Sequence, residues 1–230
     1  MNNRAVLITG ANRGIGLQFV RAFIAEGWQV IACCRHPDHA ADLIALQEDN
    51  PTLEIYALDV TNHAQISQLS AQLKNRKIDI LLSNAGITGP KAIFGHLDMA
   101  AWREVLEVNA IAPLILAQNF VEQVAASETK LMVMIGSKMG SIDDNSSGGA
   151  YFYRSSKSAL NQVVKSLSID LADRGIAAVI LNPGWVQTDM GGINASTTVK
   201  DSVAGMMQHL KTARARNGAF IDLDGTVIPW

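Results

Sequence analysis

Short apolar runs alternate with amphipathic stretches along the whole chain. The apolar runs have the length and residue types of β-strands and cover residues 4–9, 29–33, 53–58, 78–82, 130–135, 176–181 and 219–221. The stretches between them have apolar residues at helical spacing and predict helices over residues 14–26, 38–48, 62–73, 99–126 (one or two helices), 151–174 and 199–213. This strict alternation implies a mainly parallel sheet with helices on both faces. The chain is therefore predicted to be a single α/β doubly wound domain over residues 1–230, with a mainly parallel seven-stranded sheet.

Two segments without a periodic pattern directly follow predicted strands. Residues 136–150 are rich in Gly, Ser, Asp and Asn, and residues 182–198 begin with Asn-Pro-Gly. In an open α/β sheet, ligands bind over the carboxyl ends of the strands. These two segments therefore predict where a binding site lies.

Composition and charge restrict the class of partner. A chain of 230 residues suits one α/β domain, and its net charge of −2 creates no basic field for nucleic acid or an anionic membrane surface. We find no apolar run that approaches the roughly 20 residues of a membrane span, and no signal peptide before the first strand. Neither a nucleic acid nor a membrane is therefore expected as a partner.

The cysteines and histidines favour neither a disulfide nor a metal site. Cys33 and Cys34 are the only cysteines and are adjacent, so we interpret them as buried strand residues in a reducing cytoplasm. The five histidines do not cluster, and His36 and His39 have no further ligands beside them in the sequence. We therefore predict no metal and a cytoplasmic protein.

A glycine-rich turn joins the first predicted strand to the first helix with the spacing G-x-x-x-G-x-G over residues 10–16. Gly10 permits the turn, Gly14 lets the backbone approach a pyrophosphate, and Gly16 lets the helix pack close to the strand. The helix N-terminus then faces the anion with free N–H groups. The alternative is a tight corner without a ligand. The strand–turn–helix context favours a Rossmann-type dinucleotide site.

The end of the second strand indicates which dinucleotide binds. The sequence there is Ala-Cys-Cys-Arg, without an acid to hold a ribose 2′-hydroxyl. Arg35 instead offers a fork suited to a 2′-phosphate, and Arg13 in the glycine turn adds a second cation. Two solvated surface arginines are the alternative. The combination favours NADP(H) over NAD(H).

Tyr153 and Lys157 are four residues apart and share one face of the predicted helix 151–174. A neighbouring positive charge lowers the pKa of a phenol, so this pair is expected to exchange a proton with a carbonyl-derived oxygen near neutral pH. The spacing alone also fits an ordinary exposed pair. The glycine turn and the upstream Ser137 strengthen the catalytic interpretation.

Tyr153 and Ser137 each have an alternative candidate of the same residue type nearby in the sequence. Tyr151 has Ser155 rather than a lysine four residues on, so we prefer Tyr153. Ser141 competes with Ser137, but Ser137 directly follows the fifth predicted strand and is placed more rigidly.

Seven ordered motifs resemble the short-chain dehydrogenase/reductase family over nearly the whole chain. They are residues 9–16, Leu58-Asp59-Val60, Ser83-Asn84-Ala85-Gly86, Val108-Asn109-Ala110, Gly136-Ser137, residues 153–157 and Pro183-Gly184. Residues 182–192 and 224–230 look like the C-factor-like and sniffer-like carbonyl reductase branch. Ser83 stands where the family usually has Asn, and Gly136 where a Ser often precedes the catalytic one.

The resemblance implies roles for particular residues. Tyr153 would be the general acid/base, Lys157 its activator and a ligand of the nicotinamide ribose, and Ser137 a donor to the substrate oxygen. Asn109 would interrupt its helix and hold a water that links Lys157 to solvent, although a helical Asn also bonds to its own chain. The implied contacts of NADP(H) are Gly10, Asn12, Arg13, Gly14, Ile15, Gly16, Arg35, Asp59, Val60, Asn84, Ala85, Gly86, Tyr153, Lys157, Pro183, Gly184, Val186 and Thr188.

Within this set, Asp59 and Val60 would border the adenine, and Asn84 to Gly86 would support the cofactor from the fourth strand. The Val186 backbone and the Thr188 hydroxyl would fix the carboxamide. Asp59 has a structural alternative, which is to cap the helix that begins near residue 62.

The resulting expectation is an NADP(H)-dependent oxidoreductase that transfers hydride between nicotinamide and a small carbonyl or alcohol substrate. The alternatives are a cofactor-binding redox sensor or signalling protein of the C-factor type with little turnover, and a scaffold built on the helices 99–126 and 151–174. The resemblance also implies a homodimer or homotetramer. Substrate specificity is expected from residues 88–97, 136–150 and 191–198, and the shortness of the last segment predicts an open pocket without a large lid.

Overall fold

A computed structural model describes residues 4–90 and 94–230 and contains one parallel sheet. Its strands are β1 (Ala5–Thr9), β2 (Gln29–Cys34), β3 (Leu53–Ala57), β4 (Ile80–Ser83), β5 (Leu131–Ile135), β6 (Ala177–Leu181) and β7 (Phe220–Ile221). Their order is β3-β2-β1-β4-β5-β6-β7, and every neighbouring pair is parallel. The predicted seven-stranded doubly wound fold is confirmed. The strand order reverses between β1 and β4, where such sheets open a ligand-binding crevice.

The described residues form seven α-helices, which pack on the two faces of the sheet or on the helices there. They are α1 (Gly14–Ala25), α2 (Ala41–Asp49), α3 (His63–Gln72), α4 (Met99–Leu106), α5 (Ala112–Ala125), α6 (Tyr151–Asp170) and α7 (Val199–Leu210). Alternate residues of β1 pack on opposite faces, with Val6 and Ile8 in the core beside α1 and α7 and Leu7 in the core beside α3, α5 and α6. Both faces of the sheet are therefore buried, which is why its strands have continuous apolar runs rather than alternating ones.

The predicted helix over residues 99–126 is two α-helices joined by a π-helical turn, Glu107–Ile111. Pro113 lacks an N–H and cannot donate to the carbonyl of Asn109, four residues before it. The regular ladder is therefore interrupted at the position where the family resemblance implies an interruption.

Other predicted helix ends are wrong by a few residues. The predicted helix 151–174 ends at Asp170, and the 3₁₀ turn Ala172–Arg174 that follows closes at Gly175 with a φ of 71°. The predicted helix 199–213 ends at Leu210. These ends depend on local caps, which the apolar pattern does not encode.

The continuous helical segment Met99–Ala125 meets the length and mean hydropathy of a membrane span, although charged residues interrupt it and it contains no unbroken apolar run of that length. Its second half, α5, buries Leu116, Phe120 and Val124 against the sheet. Among the described residues no other helix meets the test. An apolar core helix of an α/β domain has the same length and composition, so the segment is explained by its packing.

Candidate active site

The glycine turn between β1 and α1 is built for close backbone approach. Gly10 has a φ of 64°, and a Cβ on Gly16 would lie 2.1 Å from the Gly10 carbonyl oxygen. Asn84 Nδ2, from the end of β4, donates to the carbonyl oxygens of Thr9 at 2.9 Å and Gly10 at 3.1 Å. Arg13 is the N-cap residue of α1, and its side chain makes no cap hydrogen bond. The first N–H groups of α1 are therefore available to an anion.

A groove of about 570 Å³ runs along the carboxyl edge of the sheet from the end of β2 to the end of β6. The predicted cofactor residues that line it are Gly10, Asn12, Arg13, Gly14, Ile15, Gly16, Arg35, Asp59, Val60, Asn84, Ala85, Gly86, Tyr153, Lys157, Pro183 and Thr188. Gly184 and Val186 line an adjoining pocket instead. Glu104, Gln187 and Asp189 also line the groove, although no cofactor contact was predicted for them.

The two arginines predicted to meet a 2′-phosphate differ in their surroundings. Arg13 Nη1 donates to Asp189 Oδ2 at 2.9 Å, so this guanidinium already forms an ion pair with a carboxylate. Arg35 lines the groove and, within the described part of the chain, has no carboxylate at ion-pair distance. The structure therefore leaves Arg35 as the better-placed cation at the end of the groove beside β2.

Asp59 lies within electrostatic range of Arg35, although beyond ion-pair distance, and does not cap α3. Burial raises the pKa of its carboxyl, but hydrogen bonds from Thr61 and the charge of Arg35 outweigh this and hold the pKa below its usual value. Asn62 is the residue that caps α3, because its Oδ1 accepts from the N–H of Gln65 at 3.2 Å. The groove thus contains an ionised carboxylate next to its main cation.

Lys157 and Tyr153 lie where the groove reaches α6. Lys157 is buried, its Nζ donates to the Ile135 carbonyl at 2.9 Å, and the same Nζ lies 5.7 Å from the centroid of the Tyr153 ring. Burial lowers the pKa of Lys157 to about 8. Burial raises the pKa of Tyr153, and a hydrogen bond from Ser137 opposes that rise. The predicted lowering of the phenol pKa is therefore wrong, and the phenol is protonated at neutral pH.

The side chains of Ser137 and Tyr153 line one pocket of about 900 Å³, and Ser137 is close enough to the phenol to oppose the rise of its pKa. The alternative candidates, Ser141 and Tyr151, do not line this pocket. The Ser141 hydroxyl is buried and donates to the Pro229 carbonyl at 2.6 Å, and Tyr151 lines neither the pocket nor the groove. The pocket and the groove adjoin, because Gly136, Tyr153 and Thr188 line both.

Asn109 joins the end of β4 to α6 through its side chain. Its Oδ1 accepts from the N–H of Ile87 at 2.9 Å, and its Nδ2 donates to the Ile87 carbonyl at 2.8 Å and to Ser156 Oγ at 2.9 Å. Its carboxamide is therefore engaged by protein. The main-chain carbonyl that Pro113 cannot reach is the group left for the predicted proton relay.

Asn182 and Asp222 are two polar residues of the pocket for which no individual role was predicted. Asn182 Oδ1 accepts from the N–H of Lys138 at 3.1 Å, and its Nδ2 donates to Asp222 Oδ1 at 2.7 Å. Asn182 thereby ties the segment after Ser137 to the ends of β6 and β7. Both residues directly follow strands, and the signal that marked residues 182–198 at the carboxyl edge could also have pointed to Asp222.

The loop after β6 forms one side of the pocket mouth. Trp185 Nε1 donates to the Gly191 carbonyl at 2.8 Å, and the Thr188 hydroxyl accepts from the N–H of Gly191 at 3.1 Å. Thr88 to Pro90 form another side, and the rest of the predicted specificity loop includes residues 91–93, which lie outside the described residues. The open pocket without a large lid stays a prediction.

The chain is similar to known proteins over most of its length. A family model described as short chain dehydrogenase matches residues 4–198. The carbonyl reductase Sniffer of D. melanogaster is 33% identical with a TM-score of 0.94, and NADPH-bound carbonyl reductase from chicken fatty liver is 36% identical with a TM-score of 0.93; both alignments cover 100% of each chain. C-signal of Myxococcus xanthus is 39% identical over 154 residues, which are 66% of this chain and 93% of that protein. This protein is a member of the short-chain dehydrogenase/reductase family and has the fold of the carbonyl reductases.

Proposed function

We propose that the protein is an NADP(H)-dependent oxidoreductase that transfers hydride between nicotinamide and a small carbonyl or alcohol substrate. The observation that carries the proposal is the convergence of the Ser137 and Tyr153 hydroxyls on one pocket, which meets the groove at Tyr153. The test is NADPH oxidation with a panel of aldehydes, ketones, quinones and diketones, and NADH as the control. Inertness toward the whole panel would contradict the proposal.

The hydrogen-bond donors and cations that line the groove suit a dinucleotide that carries a 2′-phosphate. The uncapped N-terminus of α1 offers N–H groups to a pyrophosphate, and Gly16 keeps that helix close to β1. Arg35 offers a guanidinium fork to a 2′-phosphate at one end, and Lys157 offers an ammonium to a ribose at the other. The similar carbonyl reductase from chicken fatty liver binds NADPH. When bound, the cofactor supplies the hydride, and the protein supplies the proton and the orientation.

In the reductive direction, Tyr153 donates its phenolic proton to the substrate oxygen as that oxygen becomes an alkoxide. The raised pKa of Tyr153 keeps the proton on the phenol at neutral pH until this step. Ser137 donates a second hydrogen bond to the same oxygen, and a preset donor of this kind typically contributes about 3–4 kcal/mol to transition-state stabilisation. The nearby charge of Lys157 stabilises the phenolate that remains, which then takes up a proton from solvent.

The pKa values predict the pH dependence of the reductive reaction. We expect kcat/KM for NADPH, which reports the pKa values of the free enzyme, to be constant at neutral pH and to fall above a pH of about 8 as Lys157 loses its charge. Tyr153 does not produce this fall, because its pKa is raised above the ordinary value of a phenol. Initial rates across the alkaline range measure the profile, and a flat profile would contradict the role of Lys157.

Replacing Arg35 by Ala tests the choice of cofactor. We expect the Kd for NADPH to rise about 10- to 100-fold, since a charge-assisted hydrogen bond contributes about 1.5–3 kcal/mol, whereas the Kd for NADH changes little. Titration of NADPH fluorescence measures both constants. Arg214→Ala is the matched control, because that arginine lies before β7 at the opposite edge of the sheet. Equal weakening of both cofactors would overturn the assignment.

The similarity to C-signal supports a second candidate, a cofactor-binding redox sensor or signalling protein with little turnover. The same groove would bind NADP(H), and the pocket would serve recognition rather than chemistry. A Tyr153→Phe variant that keeps the biological effect of the protein favours this candidate. Loss of the effect favours the reductase.

Self-association and location stay proposals. Ile111 and Leu114, in and after the π-turn, and Ile169 on α6 are exposed apolar residues on the helices that the family resemblance implies at subunit contacts. We propose a homodimer or homotetramer through these helices, which sedimentation measures directly. The free, buried thiols of Cys33 and Cys34 fit the reducing cytoplasm that we propose for the protein.

A further inference from the structure

The substrate pocket has a carboxylate on its wall that the reduction chemistry does not use. Asp222 directly follows β7 and lines the same 900 Å³ pocket as Ser137 and Tyr153. Hydride and proton transfer to a carbonyl require a proton donor and a cofactor, and Asp222 is neither. Asp222 is therefore a residue of the pocket wall without a part in that chemistry.

Asp222 is held rigidly by one of its two oxygens. Its Oδ1 accepts from Asn182 Nδ2 at 2.7 Å and from the N–H of Leu223 at 2.7 Å, and its own N–H donates to the Thr226 carbonyl at 2.8 Å. Over residues 4–90 and 94–230, Oδ2 has no hydrogen-bond donor. A carboxylate fixed in this way keeps one oxygen for a ligand.

The charge of Asp222 has no cationic partner among the described residues. Lys138, the only cation among the described residues that line the pocket, directs its Nζ to Asp144 Oδ1 at 3.5 Å. Most of the remaining wall is apolar and includes Pro90, Met139, Phe152, Trp185 and Met190. An apolar pocket with one uncompensated carboxylate favours a cation over an anion of the same shape, and an aromatic face adds to that preference.

We propose that Asp222 selects carbonyl substrates that have an apolar body and a cationic, amine-derived group away from the carbonyl. The inference rests on the proposed reductase function, since it names the substrate class of the same pocket. Asp222 is a specificity-determining residue in this arrangement, and Asn182 positions it.

The test is Asp222→Asn with para-(trimethylammonio)benzaldehyde and its neutral isostere para-tert-butylbenzaldehyde. The Asn side chain keeps an oxygen that accepts from Asn182 and Leu223, so the fold and the Ser137 segment are retained. We expect the ratio of kcat/KM for the cation to kcat/KM for the isostere to fall about tenfold in the variant. The intrinsic reactivities of the two aldehydes cancel, because the ratio is compared between variants.

Asp224→Asn is the control, because Asp224 is exposed, accepts from Thr226 and does not line the pocket. Its ratio is expected to equal that of the unmodified chain. If Asp222→Asn lowers kcat/KM for both aldehydes equally, Asp222 acts only by orienting Asn182, and the proposal is overturned. An unchanged ratio also overturns it.

A binding measurement separates this inference from the reductase proposal. Calorimetric titration of the NADPH-loaded protein with the two corresponding benzyl alcohols needs no turnover. We expect Asp222→Asn to weaken binding of the cationic alcohol about tenfold and to leave the neutral alcohol unchanged. If no carbonyl compound is turned over but Asp222→Asn still weakens binding of the cationic alcohol, the reductase proposal is contradicted and the cation site is supported. If the cationic alcohol binds equally to the unmodified protein and to Asp222→Asn, only the proposed cation site is contradicted.

Discussion

Replacing Tyr153 by Phe is expected to lower kcat for carbonyl reduction about 10²- to 10⁴-fold, the range by which a positioned general acid contributes. The substitution removes only the phenolic hydroxyl and leaves the ring, which lines both the groove and the pocket. Because the pyrophosphate and adenine regions of the groove are untouched, the Kd for NADPH is expected to stay within about twofold of its original value. NADPH oxidation and NADPH fluorescence titration measure the two quantities.

Tyr151→Phe is the matched control, because Tyr151 is on the same turn of α6, is exposed and lines neither cavity. Its kcat is expected to be unchanged. A Tyr153→Phe variant that retains more than about a tenth of the original kcat would show that another group donates the proton. That result would remove the main support for the reductase.

The fold was predictable because the core determines the sequence pattern. Strands buried on both faces need continuous apolar runs such as residues 131–135, and helices that cover a sheet need an apolar stripe. The strand ends were therefore correct within about two residues. Helix ends were less predictable because they depend on single residues, as where Gly175 closes the turn after α6. The π-turn before α5 had a sequence signal in Pro113, which the apolar periodicity conceals.

The candidate site was predictable where topology alone brings residues together. Ser137 follows β5 and Tyr153 lies in the first turn of α6, so a parallel sheet places both at its carboxyl edge. Pairings between distant segments had no local signal. Arg13 and Asp189 are 176 positions apart in the chain, and the apparent second phosphate ligand was in fact paired with a carboxylate.

The direction of a pKa shift was the least predictable property of the site. Sequence gives the spacing of Tyr153 and Lys157, and that spacing suggested a lowered phenol pKa. Burial, which depends on the whole tertiary structure, instead raises the pKa of Tyr153 and lowers that of Lys157. Both shifts keep the pair poised for reduction, because the phenol retains its proton and the ammonium titrates just above neutral pH.

Replacing Lys157 by Met is expected to inactivate the reductase and to stabilise the fold. Activity should fall about a hundredfold or more, because the variant lacks the charge beside the phenolate and the donor at the ribose end of the groove. The free energy of unfolding should rise, since the folded chain no longer buries an ammonium whose pKa falls from 10.5 to about 8. At roughly 1.4 kcal/mol per pKa unit the burial costs about 3 kcal/mol, and losing the bond to the Ile135 carbonyl offsets about 1 kcal/mol of the gain. We expect a melting temperature about 5 °C higher at neutral pH.

The pH dependence of that stabilisation identifies its cause. Below a pH of about 8 the lysine is charged in both the folded and the unfolded chain, so the full burial penalty is present. Between about 8 and 10.5 the folded chain loses the proton first, the unfolded chain binds more protons, and the stability of the unmodified protein rises toward that of the variant. Thermal melts should therefore show a difference in melting temperature between Lys157→Met and the unmodified protein, a gap that is constant at neutral pH and shrinks in alkaline buffer.

Lys165→Met, at an exposed position of the same helix, should show neither the gap nor the loss of activity. A gap that is independent of pH would mean that Met improves packing rather than removing a buried charge, and the assignment of Lys157 as the titrating group would then fail.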